Sequence, residues 1–134
     1  AEHVAAHLDQ LGIECFGPTG VVITYSSLQE VEGILAQLEG ALVGCLFSSP
    51  TDSSAGSLLN ALASISGRVV FNAWPTGVAV TVGQHHGGPY PASTSSLHTS
   101  VGANAITRFL RPVTFQGLPD ELYPAVTLEH VKGQ

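Results

Sequence analysis

Residues 41–71 read ALVGCLFSSPTDSSAGSLLNALASISGRVVF and carry the clearest structural signal in the chain. The first seven, Ala41 to Phe47, are almost continuously apolar, which is typical of a strand buried on both faces. A polar turn from Ser48 to Ser54 follows, and the next apolar side chains recur at helical spacing until Gly67. Val69 to Phe71 is again apolar and β-branched. The stretch therefore predicts a strand, a helix and a second, parallel strand.

The same unit precedes this stretch. Val21 to Tyr25 is a β-branched and aromatic run, and Ser27 with Glu30 fits a capping box, in which each side chain satisfies a backbone amide of the first helical turn. One apolar face then continues towards Gly40, where the helix is expected to end. A short helix over residues 2–11 comes first. We predict an α/β fold of order β-α-β-α-β, with parallel strands covered by helices on both faces.

The pattern changes after this frame. Prolines and glycines punctuate a long loop from Trp74 to Pro91, which has the composition of an ordered functional loop. Thr99 or Ser100 can cap a following helix that ends before the next proline. Val113 to Gln116 then predicts a late strand, and residues 118–134 a loosely structured tail.

The composition restricts the partners that the chain can have. Of its 134 residues, 44 % are hydrophobic and only 10 % are charged, against about 25 % in an average soluble protein. We therefore expect part of the surface to be covered by other protein. With a net charge of -6 and four basic residues, the chain is a poor partner for nucleic acid or anionic membrane. It begins at Ala1 and contains no Met, so we expect a processed chain or a piece of a longer one.

Membrane, secretory and redox signals are weak. No apolar run approaches the roughly 20 residues that span a bilayer, and the opening residues lack the features of a secretory signal. Cys15 and Cys45 could form a disulfide, but Cys45 lies in a strand-like run, where a buried free thiol is the favoured interpretation. These observations predict a cytoplasmic protein.

Several chemistries have no motif in this chain. It has no phosphate-binding G-x-x-x-x-G-K-[ST] loop, no G-x-S-x-G nucleophile elbow and no dinucleotide-binding G-x-G-x-x-G. His85 and His86 are possible metal ligands, but neighbouring side chains on an extended segment point to opposite sides. His3 and His7 have the spacing of a two-histidine site and lack a third ligand, so a solvated helix face is favoured. No metal is predicted.

Two motifs resemble the C-terminal part of the aldehyde dehydrogenase superfamily. Residues 14–18, ECFGP, match its E-x-F-G-P signature, placed just before a strand. Residues 67–78, GRVVFNAWPTGV, are followed by HGGPYPA at 86–92 and HTSVG at 98–102. This order resembles the NADP-preferring branch that includes the α-ketoglutaric semialdehyde (2,5-dioxovalerate) dehydrogenases.

The resemblance implies roles at matching positions. Glu14 matches the glutamate that accepts hydrogen bonds from the nicotinamide ribose of NADP or NAD, a task suited to a carboxylate because it only accepts. Phe16 matches the aromatic side chain beside the nicotinamide. Trp74 and Pro75 match the wall of the aldehyde-binding tunnel. Val113 to Gln116 matches the strand through which subunits form a homo-oligomer.

The resemblance also implies a missing half. The nucleophilic cysteine, the glutamate base and the Rossmann domain of the superfamily lie upstream of E-x-F-G-P, and neither Cys15 nor Cys45 matches the nucleophile. We expect residues 1–111 to be the C-terminal part of the catalytic domain and residues 112–134 to form the oligomerisation strand and tail. The full-length parent is expected to oxidise an aldehyde, such as a semialdehyde, to a carboxylic acid, and this segment to be inactive alone, with no catalytic residue of its own.

Two other hypotheses remain open from the sequence. The chain could be a non-catalytic α/β module, derived from the same family, that associates with itself. It could also be a small free-standing enzyme that uses His85 or His86 as a base or metal ligand, the least favoured of the three.

Overall fold

A computed structural model describes residues 2–75 and 77–123. Its helices are α1 (Glu2–Ala5), α2 (Leu8–Leu11), α3 (Leu28–Leu35) and α4 (Ala55–Ile65), and its strands are β1 (Gly44–Leu46) and β2 (Val69–Phe71). Two 3-10 helices follow, Ala103–Phe109 and Asp120–Leu122. None of the helices within the described ranges has the length and hydropathy needed to cross a membrane.

The two strands form a small parallel sheet. Cys45 pairs with Val70 at its centre, and α4 connects β1 to β2 and packs against both. An isolated parallel bridge joins Ala41 to Ser66 just before the strands begin. The structure thus confirms an α/β fold with parallel strands for residues 41–71.

Helix α3 begins where the sequence predicts it. The Glu30 amide donates to Ser27 Oγ at 3.4 Å, and Glu30 Oε2 accepts from the Ser26 amide at 2.9 Å. The Glu30 carboxylate of this capping box therefore accepts from Ser26, the residue before the N-cap, and not from the N-cap Ser27 itself. The helix ends at Leu35, and the turns that continue to Leu38 are not α-helical.

The structure differs from the sequence prediction at four places. Residues 21–25 and 113–116, predicted as strands, have no ladder partner among the described residues and run as irregular chain. A strand needs neighbouring backbone groups to satisfy its amides and carbonyls, and a strongly β-branched sequence does not replace them. The predicted helix over 2–11 is broken into α1 and α2, and the helix predicted after Thr99 is a 3-10 helix. The predicted tail extends into residues 124–134, which lie outside the described residues.

The core of the described chain is small. The buried apolar side chains are those of Ile34, Ala55 and Leu58, where α3 meets α4. The accessible surface is 10203 Å², whereas a compact monomer of 13.8 kDa exposes about 6,600 Å². Large apolar side chains such as Val22, at 92 % exposure, face solvent. The described chain therefore leaves a large apolar area uncovered, as expected from its low content of charged residues.

Candidate functional site

The carboxyl ends of β1 and β2 lie at the same edge of the sheet and carry an aromatic pair. Phe47 directly follows β1, and Trp74 lies three residues beyond β2. Their ring centroids are 5.2 Å apart, with a tilt of 54°. Both rings are accessible, Trp74 with 76 % of its surface exposed. In open parallel α/β sheets, ligands bind at the carboxyl ends of the strands, so this edge is the candidate site.

Asn72 closes this edge of the sheet. It has a left-handed backbone, with φ of 52°, and its amide donates to Leu46 O at 2.8 Å as the last rung after β2. Its side chain then bonds both backbone groups of Ser48: Oδ1 accepts from the Ser48 amide at 2.9 Å, and Nδ2 donates to the Ser48 carbonyl at 2.8 Å. The side-chain amide thus replaces one backbone rung where the chain leaves the sheet.

Ser48 is held from its other side by the turn that starts α4. Its hydroxyl donates to Asp52 Oδ2 at 2.8 Å, while Asp52 Oδ1 accepts from the Ser54 amide and hydroxyl at 2.9 and 2.6 Å. These donors, those of Ser54 first and that of Ser48 next, hold the pKa of the Asp52 carboxyl below its ordinary value. The ionised carboxylate thus organises the turn between β1 and α4.

The second half of the predicted loop lies at the opposite end of the sheet. Gly87 and Gly88 are buried against Ala41 and Gly67, and Pro89 and Tyr90 lie against Gly40, all at residues that precede the strands. A Cβ on Gly67 would overlap the Gly87 carbonyl oxygen, and one on Gly88 would lie 2.6 Å from Ala41 O. At a rise of about 3.3 Å per residue, this end is up to about 23 Å from Trp74. Residues 86–90 therefore pack at the amino ends of the strands.

A clamp holds this second half of the loop. The Thr99 side chain, 4 % exposed, accepts from the His86 amide at 2.9 Å, and the Ser100 amide donates to the His86 carbonyl at 2.9 Å. Ser93 Oγ also donates to Gly88 O at 2.7 Å. Both backbone groups of His86 are therefore engaged.

A cleft of about 300 Å³ lies beside this clamp. Arg68 Nη1 donates to the Gly77 carbonyl at 3.1 Å. This bond connects the end of residues 72–77, the Trp74 segment, to the residue before β2. The side-chain amide atoms of Gln84, Nε2 and Oε1, are buried without a hydrogen-bond partner among the described residues. The cleft is lined by Gly67, Arg68, Val78, Ala79, Thr81, Gly83, Gln84 and His85.

The structure places the predicted cofactor residues on an open segment. Glu14 and Phe16 follow α2 in irregular chain, and Phe16 is 93 % exposed. In the described part of the chain, no hydrogen bond engages the Glu14 side chain and no ring contact joins Phe16 to Trp74. Trp74 and Pro75, both exposed, follow β2 at the strand ends. Phe47 and Asn72, which the sequence analysis missed, stand beside Trp74.

The cysteines and histidines gather into no metal-binding group where the chain is described. Cys15 is exposed and Cys45 half-buried, both as free thiols. The rings of His3 and His7 lie 4.4 Å apart, with His7 Nδ1 2.8 Å from the His3 carbonyl. Over residues 2–75 and 77–123, no group of three His, Cys, Asp or Glu side chains is gathered to hold an ion.

Comparison with known proteins supplies a family relationship. The chain is 45 % identical over 112 residues to alpha-ketoglutaric semialdehyde dehydrogenase 2 of Azospirillum brasilense, an alignment covering 83 % of this chain and 21 % of that protein. It is 43 % identical over 114 residues to the alpha-ketoglutaric semialdehyde dehydrogenase of Acinetobacter baylyi, covering 84 % and 22 %. No family profile matches. The chain therefore matches a segment of this aldehyde dehydrogenase branch and spans about one fifth of the length of these relatives.

Proposed function

Because the chain matches a segment of the α-ketoglutaric semialdehyde dehydrogenases, we propose that it is part of an NAD(P)-dependent aldehyde dehydrogenase that oxidises a semialdehyde to a carboxylic acid. The observation that carries the proposal is identity of 43–45 % over more than four fifths of the chain. The sparse core supports it, because the uncovered apolar area is the surface that the remaining polypeptide would bury.

Residues of this chain fit a nicotinamide cofactor at Glu14 and Phe16. The Glu14 carboxylate is exposed and has no hydrogen-bond partner among the described residues, so its oxygens are free to accept from ribose hydroxyls. The exposed Phe16 ring offers a flat apolar face to the nicotinamide. The cofactor would supply the hydride acceptor, and these residues would bind and orient it.

The remaining roles divide between substrate and assembly. Trp74 and Pro75 border the aldehyde at the strand ends, and residues 113–116 pair with a neighbouring subunit. Among the described residues, the only hydrogen-bond partner of the Cys15 thiol is the Thr19 hydroxyl at 4.0 Å, so the thiol is not bonded to a histidine or a carboxylate there. The nucleophile is therefore expected elsewhere in the parent, and this chain alone should be inactive.

A chimera tests the proposal. The matching segment of the Azospirillum brasilense enzyme is exchanged for this chain, and reduction of NAD(P)⁺ by α-ketoglutaric semialdehyde is followed by absorbance. We expect the chimera to be active and the isolated chain to be inactive. A folded chimera that does not turn over would refute the proposal.

Glu14→Gln in the chimera tests the cofactor role. The loss of hydrogen bonds to a charged group costs about 1.5–3 kcal/mol, so kcat/KM for the cofactor should fall by about 10- to 150-fold. Glu39→Gln, at another exposed glutamate, is the matched control and should change nothing. An unchanged cofactor KM and hydride-transfer rate in the Glu14 variant would exclude the assignment.

A second candidate function is self-association without catalysis. It is favoured by the exposed apolar side chains around Phe115, which is itself 45 % exposed and contacts the Tyr123 ring at a centroid distance of 5.9 Å. Sedimentation of the isolated chain measures this directly. A stable dimer or tetramer combined with an inactive chimera would favour the self-association module, whereas a monomer would exclude it.

A further inference from the structure

We propose that Asn72 is a positioning residue that holds Trp74 against Phe47, so that the two rings form one aromatic wall for the hydrocarbon part of the aldehyde. The inference rests on the proposed function for the identity of the ligand. The structural part of the inference, that Asn72 keeps the Trp74 ring in contact with the Phe47 ring, rests on the geometry alone.

The first step is the grip on Ser48. Asn72 contributes three hydrogen bonds of 2.8–2.9 Å to β1 and the residues after it, one from its backbone and two from its side chain. Ser48 is itself fixed through Asp52 to the start of α4. The side-chain amide of Asn72 therefore links the start of residues 72–77 to the turn between β1 and α4.

The second step is the backbone conformation. At φ of 52°, Asn72 turns the chain out of the β2 direction immediately after its last rung. Asparagine and glycine adopt this conformation readily, whereas alanine disfavours it, because its Cβ meets the following carbonyl oxygen and no polar side chain compensates. Asn72 therefore has two effects. Its left-handed backbone sets the direction of the chain after β2, and its side chain makes the two hydrogen bonds that attach the chain to Ser48.

The third step is the ring pair. Trp74 follows Asn72 by two residues, and Arg68 ties Gly77 at the far end, so the segment is held on both sides of the indole. A ring pair at 5.2 Å with a 54° tilt is a favourable aromatic geometry. Both rings remain open to solvent at the carboxyl edge, so they present an apolar surface to a ligand there. Because neither ring is charged, the pair can contact the hydrocarbon part of the ligand and cannot bind its carboxylate.

The chain offers a direct structural readout, because Trp74 is its only tryptophan. Nuclear Overhauser contacts between the indole and Phe47 ring protons are measured in the isolated chain, in Asn72→Gly, which keeps the left-handed backbone and loses the amide, and in Asn72→Ala, which loses both. Asn60→Ala, at an exposed position of α4, is the matched control. We expect the contacts to persist in the control and to disappear in both Asn72 variants. Contacts that persist in Asn72→Gly would overturn the positioning role.

The kinetic readout uses the chimera. Loss of an aromatic contact is worth about 0.5–1.5 kcal/mol, so Asn72→Gly should raise the aldehyde KM by about two- to tenfold and leave kcat within twofold. Phe47→Leu should do the same, and the double variant should be no worse than either single one, since both remove one contact. A fall in kcat alone, or fully additive effects, would overturn the proposal. An inactive unsubstituted chimera together with lost ring contacts would refute the proposed function and retain the positioning role.

Discussion

Gly67→Ala probes how tightly the loop around Gly87 and Gly88 lies on the amino ends of the strands. The added Cβ would overlap the Gly87 carbonyl oxygen and lie 2.5 Å from its carbon and 2.9 Å from Gly88 Cα. Ordinary contact begins at 3.4 Å, so these two carbons would have to retreat by about 0.9 Å and 0.5 Å. Both obstacles are backbone, which has no rotamer to change.

The cost follows from this geometry. Overpacking costs about 1–3 kcal/mol, and an obstruction by backbone on a buried face belongs at the upper end. About 3 kcal/mol corresponds to roughly a 150-fold change in the equilibrium for opening this loop. Gly56→Ala in α4 is the matched control, because its Cβ meets nothing within 4 Å. There the better helix propensity of alanine should stabilise the chain by up to about 1 kcal/mol.

Amide hydrogen exchange followed by NMR measures the effect at the loop itself. The His86 and Ser100 amides, both bonded within the clamp, report its opening. In Gly67→Ala their protection should fall by about 150-fold or to the level of an open chain, while Gly56→Ala should leave it unchanged or higher. Protection within twofold of the unsubstituted chain in the Gly67 variant would refute the close approach and the reasoning built on it.

Three further predictions concern other parts of the chain. The pKa of the Asp52 carboxyl lies below its ordinary value, so the ionised carboxylate stabilises the folded chain above about pH 4, and this contribution is lost as the pH falls through the lowered pKa. An NMR titration of Asp52 with a midpoint at or above the ordinary value would contradict this. Cys15 should react with a thiol reagent faster than the half-buried Cys45, as labelling followed by peptide mass measures, and equal rates would argue against the described exposure. Ser27→Ala should destabilise α3 by about 1 kcal/mol, measured by amide exchange of that helix, and an unchanged exchange rate would show that the capping box contributes nothing.

The part of the fold that local sequence specifies was predicted well. The unit from β1 through α4 to β2 follows from a continuous apolar run, a polar turn and a helical repeat, and the box at Ser27 and Glu30 follows from two side chains on one turn. Residues 21–25, predicted as a strand, are irregular chain, because no backbone within residues 2–75 and 77–123 completes a ladder beside them.

The candidate site was predicted in part. Trp74 was singled out through resemblance, and the structure shows its contact with Phe47. Asn72 was missed, although an asparagine directly after an apolar strand is a recognisable signal for a left-handed residue. Its pairing with Ser48, 24 residues away, was beyond any local pattern. The cofactor roles of Glu14 and Phe16 and the substrate roles of Trp74 and Pro75 stay predictions.

The sequence by itself determined β1 and β2, the cap of α3 at Ser27, the shortage of charge and the relationship to a dehydrogenase branch, because these depend on residue type and local spacing. Only the tertiary structure decided that the two halves of the long loop lie at opposite ends of the sheet. Trp74 follows β2 to the carboxyl edge, whereas Gly87 and Gly88 return to the amino edge, where glycines at 40 and 67 allow backbone to approach backbone. The physical reason is that such contacts join residues far apart in the chain, and their partners are chosen by packing in three dimensions.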